Sequence, residues 1–255
     1  MDSKLKIKVI GNYAPNMKFY KNFPCSCYLI KGFHVPVILD LGMGTFKKLL
    51  SELRKENQDI MDAYIIISHN HIDHSSGLIP LSFYLLRYKI KGKLKQKVKV
   101  YLPQRSMIFS YVNILKLVFD IHIIKEDTFF EIENCKFSFC LTEHKGESYA
   151  TKLSMKDHIF IYTSDMAYAS RDVRKFCEKA NCVLIDSGNP CNNKLRCLAG
   201  YHGRTREIIE DLLDSQVKRI LASHLKKKIE DKEYIKAFPK NANIELIKLK
   251  NEYPI

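Results

Sequence analysis

Short apolar runs alternate along the chain with longer stretches in which apolar residues recur every three or four positions. Residues 5–10, 27–30, 35–40 and 63–68 are β-rich runs bounded by polar or turn-forming residues, which predicts four strands in the first third. Between the last two, residues 46–54 follow the helical period. Further on, helical patterns at 105–119, 171–179 and 205–214 are interleaved with apolar runs at 129–140, 159–163, 182–186 and 219–223. Strands followed by helix, twice over, predict an α/β fold with sheet layered against helices. No repeat, low-complexity tract or Pro/Gly-rich linker interrupts the pattern, so it predicts a single domain over residues 1–255.

Several predicted strands end directly on a side chain that can bind a metal. The run 63–68 leads into His69, 159–164 into Asp165, 182–185 into Asp186 and 219–223 into His224. Strand ends gather at one edge of a sheet, so these side chains are candidates for a shared site. The segment Ser68-His69-Asn70-His71-Ile72-Asp73-His74 is the densest, with three imidazoles and a carboxylate that would be costly to bury without a cation. A loop leaving the strand can aim His69 and His71 at one point and Asp73 and His74 at a second. Imidazole with carboxylate suits zinc, and also manganese or iron. His34, His122 and His158 stand alone on other runs and are expected to be ordinary core or surface residues.

Charge and cysteine content narrow the setting. Lysine and arginine number 42 against 28 acidic residues, a formal net charge of +14 whose field concentrates phosphate-bearing ligands. Lys89, Lys91, Lys93, Lys95, Lys97 and Lys99 alternate at strand period, which predicts a solvated hairpin or edge strand guarded by lysine, with a substrate-guiding patch as the alternative. The eight cysteines include the pairs Cys25/Cys27 and Cys191/Cys197, whose spacings are not those of paired zinc knuckles, so free thiols are expected. No run approaches the roughly 20 apolar residues that span a bilayer, and the opening MDSKLKIKVI reads as a strand rather than a signal peptide. The expectation is a soluble cytoplasmic protein with no membrane role.

The HxHxDH segment after a strand resembles the signature of the metallo-β-lactamase superfamily, and the remaining motifs come in order. His144 in Thr142-Glu143-His144-Lys145, Asp165 in Thr163-Ser164-Asp165-Met166 and His224 in Ala222-Ser223-His224-Leu225 match its later ligand positions. Asp40-Leu41-Gly42-Met43-Gly44 resembles its Asp-x-Gly turn. The resemblance implies a four-layer αββα sandwich and two divalent metal ions, zinc foremost with manganese as the alternative. It implies that His69, His71 and His144 hold one ion, that Asp73, His74 and His224 hold the other, and that Asp165 bridges them. An aspartate at 165, where the zinc β-lactamases usually carry cysteine, points away from antibiotic hydrolysis.

Gly200-Tyr201-His202-Gly203-Arg204-Thr205 resembles the His-x-Thr element of the phosphodiesterase branch, which includes ribonuclease Z, with one extra residue before the threonine. Glyoxalase-type thioesterases lack that element. In that branch an acidic residue ending the preceding strand orients the histidine, and Asp186 occupies the matching place. The resemblance therefore implies three catalytic residues: Asp73 holding the attacking water, His202 protonating the leaving oxygen, and Asp186 orienting His202. Between His144 and Asp165 lie too few residues for the arm with which tRNA-processing relatives grip their substrate.

The compact length, together with Val9-Ile10-Gly11-Asn12-Tyr13 and Pro24-Cys25-Ser26-Cys27-Tyr28-Leu29, is most similar to small armless members, including the anti-Pycsar phage proteins and their bacterial relatives. That resemblance implies a homodimeric phosphodiesterase that opens 3′,5′-cyclic mononucleotides and counters nucleotide-based antiphage signalling, in the host cytoplasm if the chain is phage-encoded. The alternative is a ribonuclease Z-like RNA endonuclease without the arm. A basic nucleic-acid-binding protein without turnover is the third reading, disfavoured because every ligand position holds a metal-competent side chain.

Overall fold

The computed structural model describes residues 5–14, 24–104, 112–188, 202–226, 230–236, 238–240 and 242–255. They form two compact units, the first running to Ile124 and including Lys248–Pro254, the second comprising Lys125–Ile247 with Ile255.

In the first unit, β1 (Lys6–Gly11), β2 (Cys27–Lys31) and β3 (Val37–Leu39) are antiparallel. β4 (Tyr64–Ile66), β5 (Val98–Pro103) and β6 (Phe119–Ile124) then add in parallel. β14 (Glu252–Pro254) closes the other edge against β1, giving the order β14-β1-β2-β3-β4-β5-β6. Parallel neighbours need crossovers. These are supplied by α1 (Phe46–Lys55), α2 (Ile72–Ser75), α3 (Leu78–Ile90) and α4 (Val112–Val118), with a 3₁₀ turn at Ile60–Asp62. Leu49 and Leu53 of α1, Leu81 and Leu85 of α3 and Val118 of α4 are buried in one cluster with Leu29, Ile38, Ile65 and Val100 of the strands. Each such side chain contributes about 1.5–3 kcal/mol by leaving water.

The second unit begins with an antiparallel meander, β7 (Phe129–Ile132), β8 (Cys135–Leu141), β9 (Tyr149–Met155) and β10 (His158–Tyr162). β11 (Cys182–Asp186), β12 (Ile220–Ser223) and β13 (Ile244–Leu246) then extend the sheet in parallel. α5 (Arg171–Cys177) and α6 (Thr205–Asp214) bury Val173, Cys177, Ile208, Ile209 and Leu212 with Ile161, Val183, Ile185 and Ile220, and α7 (Asp231–Lys236) precedes β13.

Most predicted elements stand, with three corrections. The alternating lysines are not one strand: Lys89 closes α3, Lys91–Lys97 turn between elements, and Lys99 alone lies in β5. The expected helix at 105–119 stops at Val118, because the β-branched run after it pairs with β5 as β6; residues 105–111 lie outside the described residues. The apolar run at 129–140 is a hairpin, β7–β8, whose two-residue turn Glu133-Asn134 has φ of 49° and 69°. Two positive φ values suit the right-handed twist of the strands they join. Among the described residues no helix is long and apolar enough to cross a membrane.

Candidate metal centre

In the first unit, β3 and β4 are parallel neighbours, so the residues that come after them emerge at the same sheet edge. Asp40 succeeds β3 with φ of 57°, a left-handed conformation that costs a non-glycine residue about 1–3 kcal/mol. Fully buried, it accepts the Ser68 N–H at 2.7 Å on Oδ1, and the Ser68 hydroxyl at 2.9 Å and His74 Nδ1 at 2.7 Å on Oδ2. A carboxylate only accepts, so His74 carries a proton on Nδ1. In its neutral form it then turns the Nε2 lone pair towards Asp73 Oδ2, 3.4 Å away. His69 Nε2 lies 3.0 Å from His71 Nδ1.

These spacings and donors fit a divalent cation. Two nitrogens on one tetrahedral zinc stand about 3.3 Å apart when each bond is about 2.0–2.1 Å. A histidine that donates its other N–H to a carboxylate is the usual arrangement of a ligating imidazole. The Asp-x-Gly turn fixes the backbone beneath this set: Leu41 N–H donates to His74 O at 2.7 Å, and Ser26 N–H to Asp73 O at 3.1 Å. A Cβ on Gly42 would stand 1.9 Å from the Asp73 carbonyl oxygen, so only glycine lets the two segments approach.

In the second unit, β10, β11 and β12 run parallel in adjacent positions, and Asp165, Asp186 and His224 emerge together at their ends. Ser164 and His224 both have φ of 59°. Ligand atoms of Asp165, Asp186, His202 and His224 all lie within 4.8 Å of one another. Buried Asp186 accepts His202 Nδ1 at 2.7 Å on Oδ2, and His224 Nδ1 at 3.0 Å and the Gly188 N–H at 2.6 Å on Oδ1. Burial pushes its carboxyl up, but the adjacent His202 and His224 outweigh burial and hold it well below the usual carboxylate range. Asp165 stands 3.4 Å from His224 Nδ1 and 3.7 Å from His202 Nδ1.

Two further devices place the histidines of this unit. The loop bearing His144 is tied to Asp165, whose carbonyl accepts the Thr142 hydroxyl at 3.3 Å and the Ser148 hydroxyl at 3.4 Å, and the His144 ring lies 6.2 Å from that of His202. Gly203 N–H donates to Met166 O at 2.7 Å, and a Cβ there would stand 2.1 Å from Ala167 O, so glycine again permits the approach that seats His202. Arg204 occupies the N-cap of α6 without a side-chain bond to the helix backbone, its guanidinium instead pairing with Glu207, and Thr205 is the first residue of the helix.

Every sequence-predicted site residue is thus described: His69, His71, Asp73 and His74 in the first unit, His144, Asp165, Asp186, His202 and His224 in the second. Sequence reasoning missed the part Asp40 takes, although the residue was in view, and the second bond of Asp186, which braces His224 as well as His202. Burial pushes the thiols of Cys25, Cys135, Cys177 and Cys182 up to about 12, leaving them protonated and poor metal ligands; Cys191 and Cys197 lie outside the described residues. His34 and His158 are exposed, and His122 bonds Asp120 at 3.0 Å.

A family described as Anti-Pycsar protein Apyc1 matches residues 5–253. The chain belongs to that family. Its structural likenesses agree: YhfI from Bacillus subtilis, a metallo-β-lactamase fold protein, superposes with a TM-score of 0.81 at 21% identity, covering 98% of this chain and 99% of that one. A diphosphatase of the PhnP family gives 0.73 at 14% identity, with 99% and 98% covered. The short form of human tRNase Z (ELAC1) gives 0.71 at 16% identity, with 97% and 98% covered. No curated protein matches in sequence. The anti-Pycsar chain therefore has the metallo-β-lactamase fold, and family and fold together support a metal-dependent hydrolase.

Proposed function

We propose that this chain is a dinuclear-metal phosphodiesterase that opens 3′,5′-cyclic mononucleotides to linear mononucleotides and thereby counters antiphage signalling by cyclic nucleotides. The observation that carries the reading is the Asp186–His202 pair beside Asp165 and His224, an acid-holding arrangement next to metal-competent side chains. Membership of the anti-Pycsar family supports the substrate class.

His69, His71, Asp73, His74, His144, Asp165 and His224 would hold two divalent cations, zinc or manganese. When bound, such cations lower the pKa of water and draw charge from the phosphate oxygens. Asp73 accepts a hydrogen bond from the attacking water and keeps it in line with the scissile P–O bond. Asp186 holds the proton on His202 Nδ1, which leaves Nε2 to deliver a proton to the departing ribose oxygen. One P–O bond forms from water, one breaks to ribose, and the product gains a second negative charge.

Residues between His144 and Asp165 form the β9–β10 hairpin with a turn at Lys156-Asp157, which favours a small substrate over one gripped by an arm. The test is hydrolysis of a panel of 3′,5′-cyclic mononucleotides with zinc or manganese, beside a His69→Ala/His71→Ala variant, single-stranded RNA and a precursor tRNA. Turnover of cyclic nucleotides that is lost in the variant is expected. RNA cleavage with cyclic nucleotides left intact would move the chain to the endonuclease reading.

A further inference from the structure

Between His74 and Phe119 the chain contains no aspartate or glutamate. Within that span Arg87, Lys89, Lys91, Lys93, Lys95 and Lys97 are all exposed, at the end of α3 and along the turn after it. Lys89 donates to the Leu117 carbonyl at 2.8 Å, and among the described residues none of the others is paired with a carboxylate. Asp62, which touches the turn, accepts from Gln96 at 3.2 Å. Protection of a sheet edge does not account for this charge, because the lysines lie in a turn and the strand that succeeds it, β5, is an interior one between β4 and β6.

Apolar side chains stand exposed among these cations. Ile90, the last residue of α3, is 78% exposed and is flanked by Lys89 and Lys91. Phe83 is 58% exposed, seven residues and about 10 Å earlier on the same face of the helix. The bond from Lys89 brings the end of α4 alongside, where Leu117 is 45% exposed. All three belong to the first unit. Apolar projections set among unpaired positive charges match a partner that is anionic at its face and apolar beneath it.

We propose that this end of the first unit is a peripheral docking surface for an anionic phospholipid bilayer. The lysines meet the head groups, and Ile90, Leu117 and Phe83 enter the boundary of the acyl chains. α3 does not cross the bilayer, since its 13 residues fall short of the roughly 20 that a span requires. The expectation of no membrane role rests on the lack of such a span, which a peripheral contact does not need. A nucleic acid fits the surface less well: Ile90 and Leu117 offer a base no π-face to stack on, whereas acyl chains accept both of them and Phe83. The inference is independent of the catalytic reading, since it concerns neither metal nor substrate.

The chain contains no tryptophan, so Ile90→Trp places a single reporter at the apex of the surface. With vesicles of phosphatidylglycerol and phosphatidylcholine in equal parts, its emission should shift to the blue and resist quenching by acrylamide. Vesicles of phosphatidylcholine alone should produce neither change, and nor should the anionic vesicles with Tyr168→Trp, at an exposed position of the second unit. Flotation of the wild-type chain with the anionic vesicles should weaken as salt rises. Lys91→Ala/Lys93→Ala/Lys95→Ala should lower partitioning about a hundredfold, at about fivefold per lysine. Ile90→Ser should lower it about tenfold while leaving any attraction to single-stranded RNA unchanged. No binding of the wild type to anionic vesicles, equal binding to neutral ones, an unshifted tryptophan at position 90, or RNA binding that Ile90→Ser abolishes would each overturn the proposal.

Discussion

Replacing Asp186 with asparagine isolates one contact in the second unit. The Oδ1 side already receives two donors, the Gly188 N–H and His224 Nδ1, so the asparagine oxygen stays there and the amide nitrogen falls towards His202. A donor then faces His202 Nδ1 where an acceptor stood at 2.7 Å. The imidazolium form of His202 loses a hydrogen bond to a charged acceptor, about 1.5–3 kcal/mol. At about 1.4 kcal/mol per decade this is a fall of about 10- to 150-fold in kcat. The assay compares a cyclic mononucleotide with bis(p-nitrophenyl) phosphate, and bound metal is measured by mass spectrometry. A nitrophenolate leaves with little need of a proton, so the loss should be confined largely to the cyclic substrate. Equal losses on both substrates together with lost metal would show that Asp186 acts through His224, and a change within about threefold on both would remove the pair from the reaction.

Three further outcomes are expected. Chelation should abolish turnover and lower the melting temperature by about 5–10 °C, the equivalent of about 2.7 kcal/mol for a site filled at a hundredfold excess over its dissociation constant. Gly42→Ala should cost about 1–3 kcal/mol in denaturant unfolding and reduce activity, because its methyl group would displace the Asp73 backbone. At the β1/β14 edge, the hydrogen bond from Lys31 holds the Glu252 carboxyl below its ordinary 4.5. A depressed carboxylate stabilises the fold above pH 4.5 and ceases to do so as pH falls through its lowered value, so Glu252→Gln should lower the melting temperature slightly at pH 7, and the difference should shrink as pH is brought down below 4.5.

Where an element's apolar pattern had one period and clear stops, the sequence sufficed to draw it. Residues 182–186 and 205–214 are such cases, and both match their elements end to end. α3 escaped notice because it is apolar on two faces: Ile79, Phe83 and Ile90 fill the positions that a one-sided helix would leave polar. The β7–β8 turn escaped because Glu133-Asn134 holds no glycine or proline to announce it. Site residues were legible wherever the chemistry was local, as in His69 to His74. Asp40 was not, since its partners Ser68 and His74 lie 28 and 34 residues away and its role exists only once β3 and β4 pair. Asp186 was assigned to His202 alone for the same reason: the register of β11 with β12 brings His224 to its other oxygen.

The pairing of β14 with β1 bears on biosynthesis. Lys6, Ile7 and Lys8 find their outer partners in residues 252–254, which leave the ribosome after Lys125–Ile247 of the second unit have been made. Until then β1 offers an unpaired edge, with Ile7 and Val9 lacking cover that the finished fold provides. A message truncated after Ile247 would yield a chain that keeps every side chain proposed here for chemistry yet exposes a template for strand addition, and such a product should be found in inclusion bodies or degraded by proteases rather than as a weakened enzyme.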